Sequence, residues 1–316
     1  MCDAGRLRAR SPGVVRERDR DAIRQRVTSP PSTSNSKLGS PNGPISVSIK
    51  TISAHILQAN DPPGQRTRIM KIGILGVGHI GKTLAQRLAQ AGHSVKVANS
   101  RGPDTIAQDV LAFGAQAVTT EEALADVDVV ILSIPLNRIP GVAPLIATLP
   151  EETVVIDTSN YYPLRDDKIE AIEAGQVESL WVVEQLGRPI AKAWNAIGAG
   201  SLANKSTPAG TAGRIAIPVA ADRAKDREVA LALVNDSGFD GFDAGSLADS
   251  WHQQPGAPAY CTDLTREEMG PALAAAEKAR LPKRRDLSVA VIQERLGAGT
   301  NPDADWGVRL VRAIYM

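Results

Sequence analysis

"KIGILGVGHIGKTLAQRLAQAGHSVKVANSR" occupies residues Lys71 to Arg101. It opens on an apolar run of strand length, "KIGIL", and turns through Gly76, Gly78 and Gly81, spaced G-x-G-x-x-G. Beyond the turn, Ile80, Leu84 and Leu88 recur on one helical face until Gly92 stops the period. "SVKVAN" then reads as a second strand. A glycine triplet alone is weak evidence. Between a strand and a helix, each glycine has a separate duty. Gly76 permits the tight turn, Gly78 lets a pyrophosphate approach bare backbone, and Gly81 lets the helix pack on the strand. The helix start then offers unpaired amides and a positive dipole end to phosphate.

The rest of the chain continues the alternation. "DTIAQDVLAFG" is expected to form a second helix, with Asp104 as its cap. "AVTT" reads as a third strand, and Thr120 as the cap of the short helix "EEALAD". "DVVILSIP" is apolar throughout, as the middle strand of a parallel sheet must be. A broken helix in "RIPGVAPLIATL", strand "TVVIDTS", helix "DKIEAIEAG", helix "ESLWVVEQLG" and strand "PIAKAW" follow. "RIAIPVA", "AKDREVALALVNDSG" and "FDGFDAG" give strand, helix, strand. This pattern predicts a doubly wound, Rossmann-type α/β fold with a mostly parallel sheet over residues 70–245. Residues 246–316 read as a partly helical C-terminal extension, expected to cover the sheet or to pair in a homodimer.

The end of the second strand addresses which dinucleotide. An NAD site would place an acid there, against the ribose 2′-hydroxyl. Here "VANSRGPD" places Asn99, Ser100 and Arg101. A carboxylate at Ser100 would repel a 2′-phosphate, whereas the Arg101 guanidinium fork would attract one. The expectation is NADP(H), with Arg101 as a solvated loop residue the alternative.

Ligands of such sheets lie at the carboxyl ends of the strands. Ser133, Ile134 and Pro135 end the apolar strand and are expected beside the nicotinamide; core packing is the other reading of Ile134. Asp157, Thr158, Ser159, Asn160 and Tyr161 end the next strand and are expected to line the same cleft. Lys192 and Asn195, in "AKAWNAIGAG", are the candidates for hydrogen-bonding an acceptor carbonyl or the carboxamide. Lys192 reads equally as a surface lysine on an exposed strand face. Hydride transfer needs stacked rings and exclusion of water more than it needs an acid–base cluster. The four histidines, His55, His79, His93 and His252, are scattered, and no metal-ligand spacing is present.

Composition narrows the classes. Of 316 residues 43% are apolar and 3% aromatic, so a core must rest on Ala, Val, Ile and Leu. The net charge of +1 hides an asymmetry: 12 Lys/Arg against 5 Asp/Glu in residues 1–69, and 24 against 30 in the remainder. An acidic globular part does not suggest nucleic acid as partner. Two cysteines, Cys2 and Cys261, build no disulfide framework and point to a reducing, cytoplasmic setting. No stretch approaches the ~20 apolar residues of a membrane span. Residues 1–69, Arg-, Ser- and Pro-rich without Phe, Tyr or Trp, are expected to be a disordered basic extension. A targeting peptide, a functional tail and an upstream extension before a start at Met70 are the competing explanations.

At this point the chain resembles the NADP oxidoreductases dependent on coenzyme F420, a deazaflavin. The resemblance rests on "KIGILGVGHIGKTLAQRLAQAGHSVKVANSR", "ADVDVVILSIP", "VVIDTSNYYP", "KAWNAIGAGSLAN" and "FDAGSLADSW". It implies phosphate contacts from Val77, Gly78, His79 and Ile80, 2′-phosphate contacts from Ser100 and Arg101, and nicotinamide contacts around Ile134 and Pro135. The sequence departs from that family where a basic residue would follow the Ser-Arg pair (Thr105 lies there) and where a histidine would stand near Asn195. The cofactor half therefore carries over, and the acceptor does not. The expected function is an NADP(H)-dependent oxidoreductase passing hydride between nicotinamide and a planar acceptor, whether deazaflavin F420, a flavin or a small carbonyl compound. The rival is a non-catalytic NADPH sensor or regulatory module.

Overall fold

The structure, a computed structural model, describes residues 68–297 and 300–316. The reading of residues 1–69 falls almost wholly outside that range. The first strand, β1 (Lys71–Leu75), lies between β2 (Ser94–Ala98) and β4 (Val129–Leu132), parallel to both. Beyond β2 lies β3 (Gln116–Ala117). On the other side follow β5 (Val154–Asp157), β6 (Ala191–Lys192), β7 (Ala216–Ala221) and β8 (Asp240–Asp243). The order is β3-β2-β1-β4-β5-β6-β7-β8, and among these pairings only β6–β7 is antiparallel. The chain thus runs outward from β1 to β3, then crosses back to β4. That reversal leaves a crevice at the carboxyl ends of β1 and β4.

The alternation within β4 shows why the sheet is doubly covered. Val129 and Ile131 join a core with Ile72, Ile74, Leu84 and Leu88. Val130 and Leu132 join an opposite core with Leu136, Ile139, Trp181 and Val182. Successive side chains of a strand point to opposite faces, so an unbroken apolar strand requires two layers. Helix α1 (His79–Gln90) buries Leu84 and Leu88 completely, and Gly92 at φ +96° turns the chain into β2.

Two local expectations need correcting. The segment after β2 is two 3-10 stretches, Pro103–Thr105 and Gln108–Gly114, rather than a helix. The Asn99 side chain and the Gly102 carbonyl both bond the Thr105 hydroxyl, and such local bonds divert a chain from helix. Asp104 lies inside the first of these stretches and caps nothing. In α2 (Thr120–Leu124) the cap is Thr119 rather than Thr120. Thr119 has Glu122 three residues on, so a reciprocal capping box closes; Thr120 would have Ala123.

Helices α3 (Ile139–Ile146), α4 (Pro163–Asp166), α5 (Glu170–Glu173) and α6 (Glu178–Leu186) follow, then α7 (Ala199–Asn204) and α8 (Ala224–Asp236). The C-terminal region is helical: α9 (Arg266–Ala274), α10 (Leu281–Leu296) and α11 (Ala304–Tyr315). The last two are tied down. Tyr315 and Ser288 share a hydroxyl hydrogen bond of 2.6 Å, and Arg312 donates to the carbonyls of Thr262 and Asp263. Lys205 reaches Asp305 at 2.6 Å. Among the described residues, no helix is long and apolar enough to cross a membrane.

Candidate active site

The glycine turn is shaped by contacts that admit no side chain at two of its three positions. Gly76 holds φ +100°, and a Cβ there would stand 2.2 Å from the Ser133 carbonyl oxygen. A Cβ on Gly81 would stand 2.0 Å from the Gly76 carbonyl. Gly78 differs: a Cβ there would meet nothing within 4 Å. Its bare backbone therefore faces open space. Gly78 is also the N-cap of α1 and supplies no side-chain cap bond. The first amides of the helix are left for whatever lies over the turn.

A cleft of about 500 Å³ opens there. Gly78, His79 and Ile80 line one edge, and Ser133, Ile134 and Pro135 line the end of β4. Thr158, Ser159 and Asn160, at the end of β5, form the floor, and Asn195 joins them. Ser100 and Arg101 are outside the cleft, exposed at the end of β2. The Arg101 amide donates to Asn99 Oδ1 at 2.9 Å, while its guanidinium makes no hydrogen bond or ion pair among the described residues. Of the residues ending β5, Asp157 and Tyr161 point away and are buried.

Lys192 corrects a sequence reading. It is fully buried rather than on an exposed strand face, because β6 is an interior strand with β5 and β7 on either side. Its Nζ donates to Asp157 Oδ2 at 2.6 Å and to the Ser159 carbonyl at 2.5 Å. Asp157 Oδ1 in turn accepts from the Ser159 amide at 3.0 Å. The ion pair thus fixes the turn that carries the cleft floor, and Lys192 does not line the cleft. Asn195 is likewise committed. Its Nδ2 donates to Asn160 Oδ1 and to the Gln253 carbonyl, and its Oδ1 accepts from Gln253 Nε2 at 2.8 Å. Asn160 Nδ2 returns a bond to the Asn195 carbonyl at 2.9 Å. A saturated amide positions its neighbours rather than donating to a substrate.

Ser159 Oγ is the opposite case: buried, on the cleft floor, and without a partner among the described residues. A buried hydroxyl without a partner costs free energy, about 1–3 kcal/mol by typical mutational values. Two further walls carry strained backbone. Trp194 and Cys261, both lining the cleft, hold φ +56° and +57°. Such conformations are uncommon for non-glycine residues and cluster at functional sites. The Cys261 amide donates to the Ala196 carbonyl at 2.9 Å, joining the two segments.

The sequence reading missed the far wall. Tyr162 and Tyr260 line the cleft, with their hydroxyls 2.7 Å apart. Reading the strand end stopped at Tyr161, whose hydroxyl accepts from the Ile169 amide instead. Val289 and Ile292 of α10 and Val308 and Val311 of α11 complete the apolar side. Burial pushes the Tyr162 and Tyr260 hydroxyls and the Cys261 thiol up, so all three stay neutral. Behind the floor, burial pushes the Glu178 carboxyl up to about 7, against the pull of Lys192. Its Oε2 accepts from the Tyr161 amide at 3.1 Å. His252 is not in the lining; its ring stacks on Trp251 with centroids 3.6 Å apart. Among the described residues, no group of three or more His, Cys, Asp or Glu side chains could hold a metal.

Comparison with known proteins places this geometry. Residues 71–161 match the family described as NADP oxidoreductase coenzyme F420-dependent. That stretch is similar to this family over its whole matched length. It contains the glycine turn, the Ser-Arg pair, the end of β4 and the cleft floor. Protein YjhV of Escherichia coli (strain K12) is 46% identical over 79 residues, 24% of this chain and 58% of that protein. The chain therefore matches a little over half the length of this curated relative. A hypothetical protein, SMa0349 of Sinorhizobium meliloti, is 28% identical in a superposition covering 62% of this chain and 96% of that one, with a TM-score of 0.55. The stretch that matches this family is followed here by a helical C-terminal region whose last two helices line the same cleft.

Proposed function

We propose that the protein is an NADP(H)-dependent oxidoreductase acting on a small-molecule acceptor. The observation that carries this reading is the juxtaposition at the switch point. A glycine turn with open space over Gly78 stands one strand from an exposed arginine that has no ion-pair partner among the described residues. Amides of Val77, Gly78, His79 and Ile80 would hold the pyrophosphate, helped by the positive end of α1. Ser100 and Arg101 would hold the 2′-phosphate, where a charged hydrogen bond is worth about 1.5–3 kcal/mol. Ser133, Ile134, Pro135 and Asn160 would flank the nicotinamide.

The residues present fit that cofactor. The space over Gly78 is bounded by the turn, and Ser159 Oγ is an orphaned polar atom where a carboxamide would lie. When bound, the reduced cofactor supplies a hydride. The chain's own part is to hold the reacting ring against the cleft floor and to exclude water with the apolar side of α10 and α11. Lys192 and Asn195 serve this by fixing Ser159 and Asn160.

Calorimetric titration of the full chain with reduced NADP and reduced NAD tests the reading. Expected is saturable binding of the first, tighter than the second by tenfold or more, on the order of one charged hydrogen bond. No heat with either would overturn it.

A further inference from the structure

The hydroxyls at the far end of the cleft have no part in the cofactor reading. We propose that this end is an acceptor site for a compact, uncharged carbonyl compound, held at its oxygen by the hydroxyl pair of Tyr162 and Tyr260. The proposal rests on the NADP(H) reading and extends it to the substrate class.

Two hydroxyls carry two protons, and the bond between them uses one. The second has only the weakly accepting Cys261 sulfur beside Tyr260 as a further partner among the described residues. It is available to a ligand in the cleft that both rings line. Burial keeps the pair protonated, so the donor persists at neutral pH. The apolar lining comprises Ile197, Val289, Ile292, Val308 and Val311, and the polar residues beside it on α10, Ser288 and Gln293, are uncharged.

The charged groups at the rim are already engaged. Arg165 donates twice to Asp166, at 2.7 and 3.0 Å, and lies over the Tyr162 ring. Asp303 caps α11 through the amides of Asp305 and Trp306. A carboxylate or phosphate on the acceptor would find no unpaired positive charge in either, since Asp166 neutralises the guanidinium. Size points the same way. A 500 Å³ cleft falls within the ordinary ~300–1,000 Å³ of small-molecule sites, and here it must take the nicotinamide end as well. The far wall cannot simply swing away. Besides the Tyr315, Arg312 and Lys205 anchors, α11 seats Ala304 so closely on Gly200 that a Cβ there would stand 3.0 Å from it. A three-ring acceptor lying along the nicotinamide would meet this wall.

The balance of the step is simple. A hydride from the reduced cofactor adds to the carbonyl carbon. The C=O π pair moves onto oxygen, which takes a proton from the tyrosine pair. Water at the cleft mouth restores that proton. An alkoxide is a stronger base than a phenolate, so this transfer runs downhill. The products are the alcohol and the oxidised cofactor.

The test uses the full chain with Tyr260→Phe, Tyr162→Phe and Val308→Phe. Acceptors are benzaldehyde, cyclohexanone, riboflavin and a deazaflavin. Wild type is expected to oxidise reduced NADP with a carbonyl compound. Each tyrosine change should lower kcat by about 100-fold, the scale of a lost proton donor. Reduced-NADP affinity should stay within about twofold, since neither tyrosine is placed at the cofactor. Ligand-observed NMR should show benzyl alcohol bound to wild type and lost in both tyrosine variants. Val308→Phe, which leaves the hydroxyls in place, should raise KM for cyclohexanone and spare kcat. Riboflavin or deazaflavin turnover without carbonyl turnover would overturn the proposal. So would unchanged kcat and alcohol binding in the tyrosine variants, or an unchanged KM in Val308→Phe. Wild type that binds reduced NADP but reduces no carbonyl compound refutes the proposal alone; wild type that binds no cofactor refutes the reading beneath it.

Discussion

The two sides of the cleft are built by different means. On the side of β1 and α1, the site is backbone: three glycines, a helix start and a strand end within Leu75–Gly81 and Ser133–Pro135. On the side of α10 and α11, the site is side chains brought from distant parts of the chain, with Tyr162 and Tyr260 98 residues apart. The first arrangement tolerates almost no substitution at Gly76 and Gly81 but places no demand on the rest of the sequence. The second depends on anchors such as Ser288–Tyr315 and Arg312 that say nothing locally about a site. A cofactor common to many reactions suits a backbone cradle, and an acceptor that differs from enzyme to enzyme suits a side-chain wall.

The sharpest way to break this contrast is at the floor between the two sides. Lys192→Met leaves Asp157 buried and unpaired, which typically costs about 3–5 kcal/mol. Urea unfolding should show that loss, and Asp157→Asn added to it should recover part. A surface-like cost below 1 kcal/mol would mean that the pair does not hold the floor. Next comes the backbone side. Gly81→Val drives a side chain into the Gly76 carbonyl and should cost up to about 3 kcal/mol through overpacking, with cofactor affinity reduced in parallel. Gly78→Ala, whose Cβ enters open space, should leave stability within ~0.5 kcal/mol and weaken only cofactor binding. Equal destabilisation by the two would erase the distinction between packing and cradle glycines.

Glu178 sharpens the comparison from beneath. Its carboxyl is pushed up to about 7 by burial, so the native state binds this proton more tightly than the unfolded chain does. Between pH 4.5 and 7 the native state then holds more protons, and stability falls as pH rises through that window. Relative to Glu178→Gln, wild type should lose at most about 3 kcal/mol, taking 1.36 kcal/mol per unit. Parallel stability curves for the two proteins from pH 4.5 to 8 would mean that Glu178 is not held protonated.

These effects also explain which parts were legible in the sequence. The glycine turn is a local signal, readable because strand, turn and helix follow one another within 31 residues, and β4 is legible as an unbroken apolar run. The helical C-terminal region was readable as helix. Its place along the cleft was not, because it is set by Tyr315, Arg312 and Ala304 meeting residues far away in the chain. Lys192 was misjudged for the same reason. A two-residue strand carries no period, and only the β5 and β7 neighbours make it interior. The far-wall tyrosines left a faint trace in "NYYP", whose second ring lines the cleft.

The most direct test concerns the central claim, that Arg101 reads a 2′-phosphate. Calorimetry of wild type and Arg101→Ala with reduced NADP and reduced NAD isolates that contact. The account predicts a loss of about 1.5–3 kcal/mol for reduced NADP alone, with reduced NAD unchanged. Equal losses for both cofactors, or none for either, would contradict it.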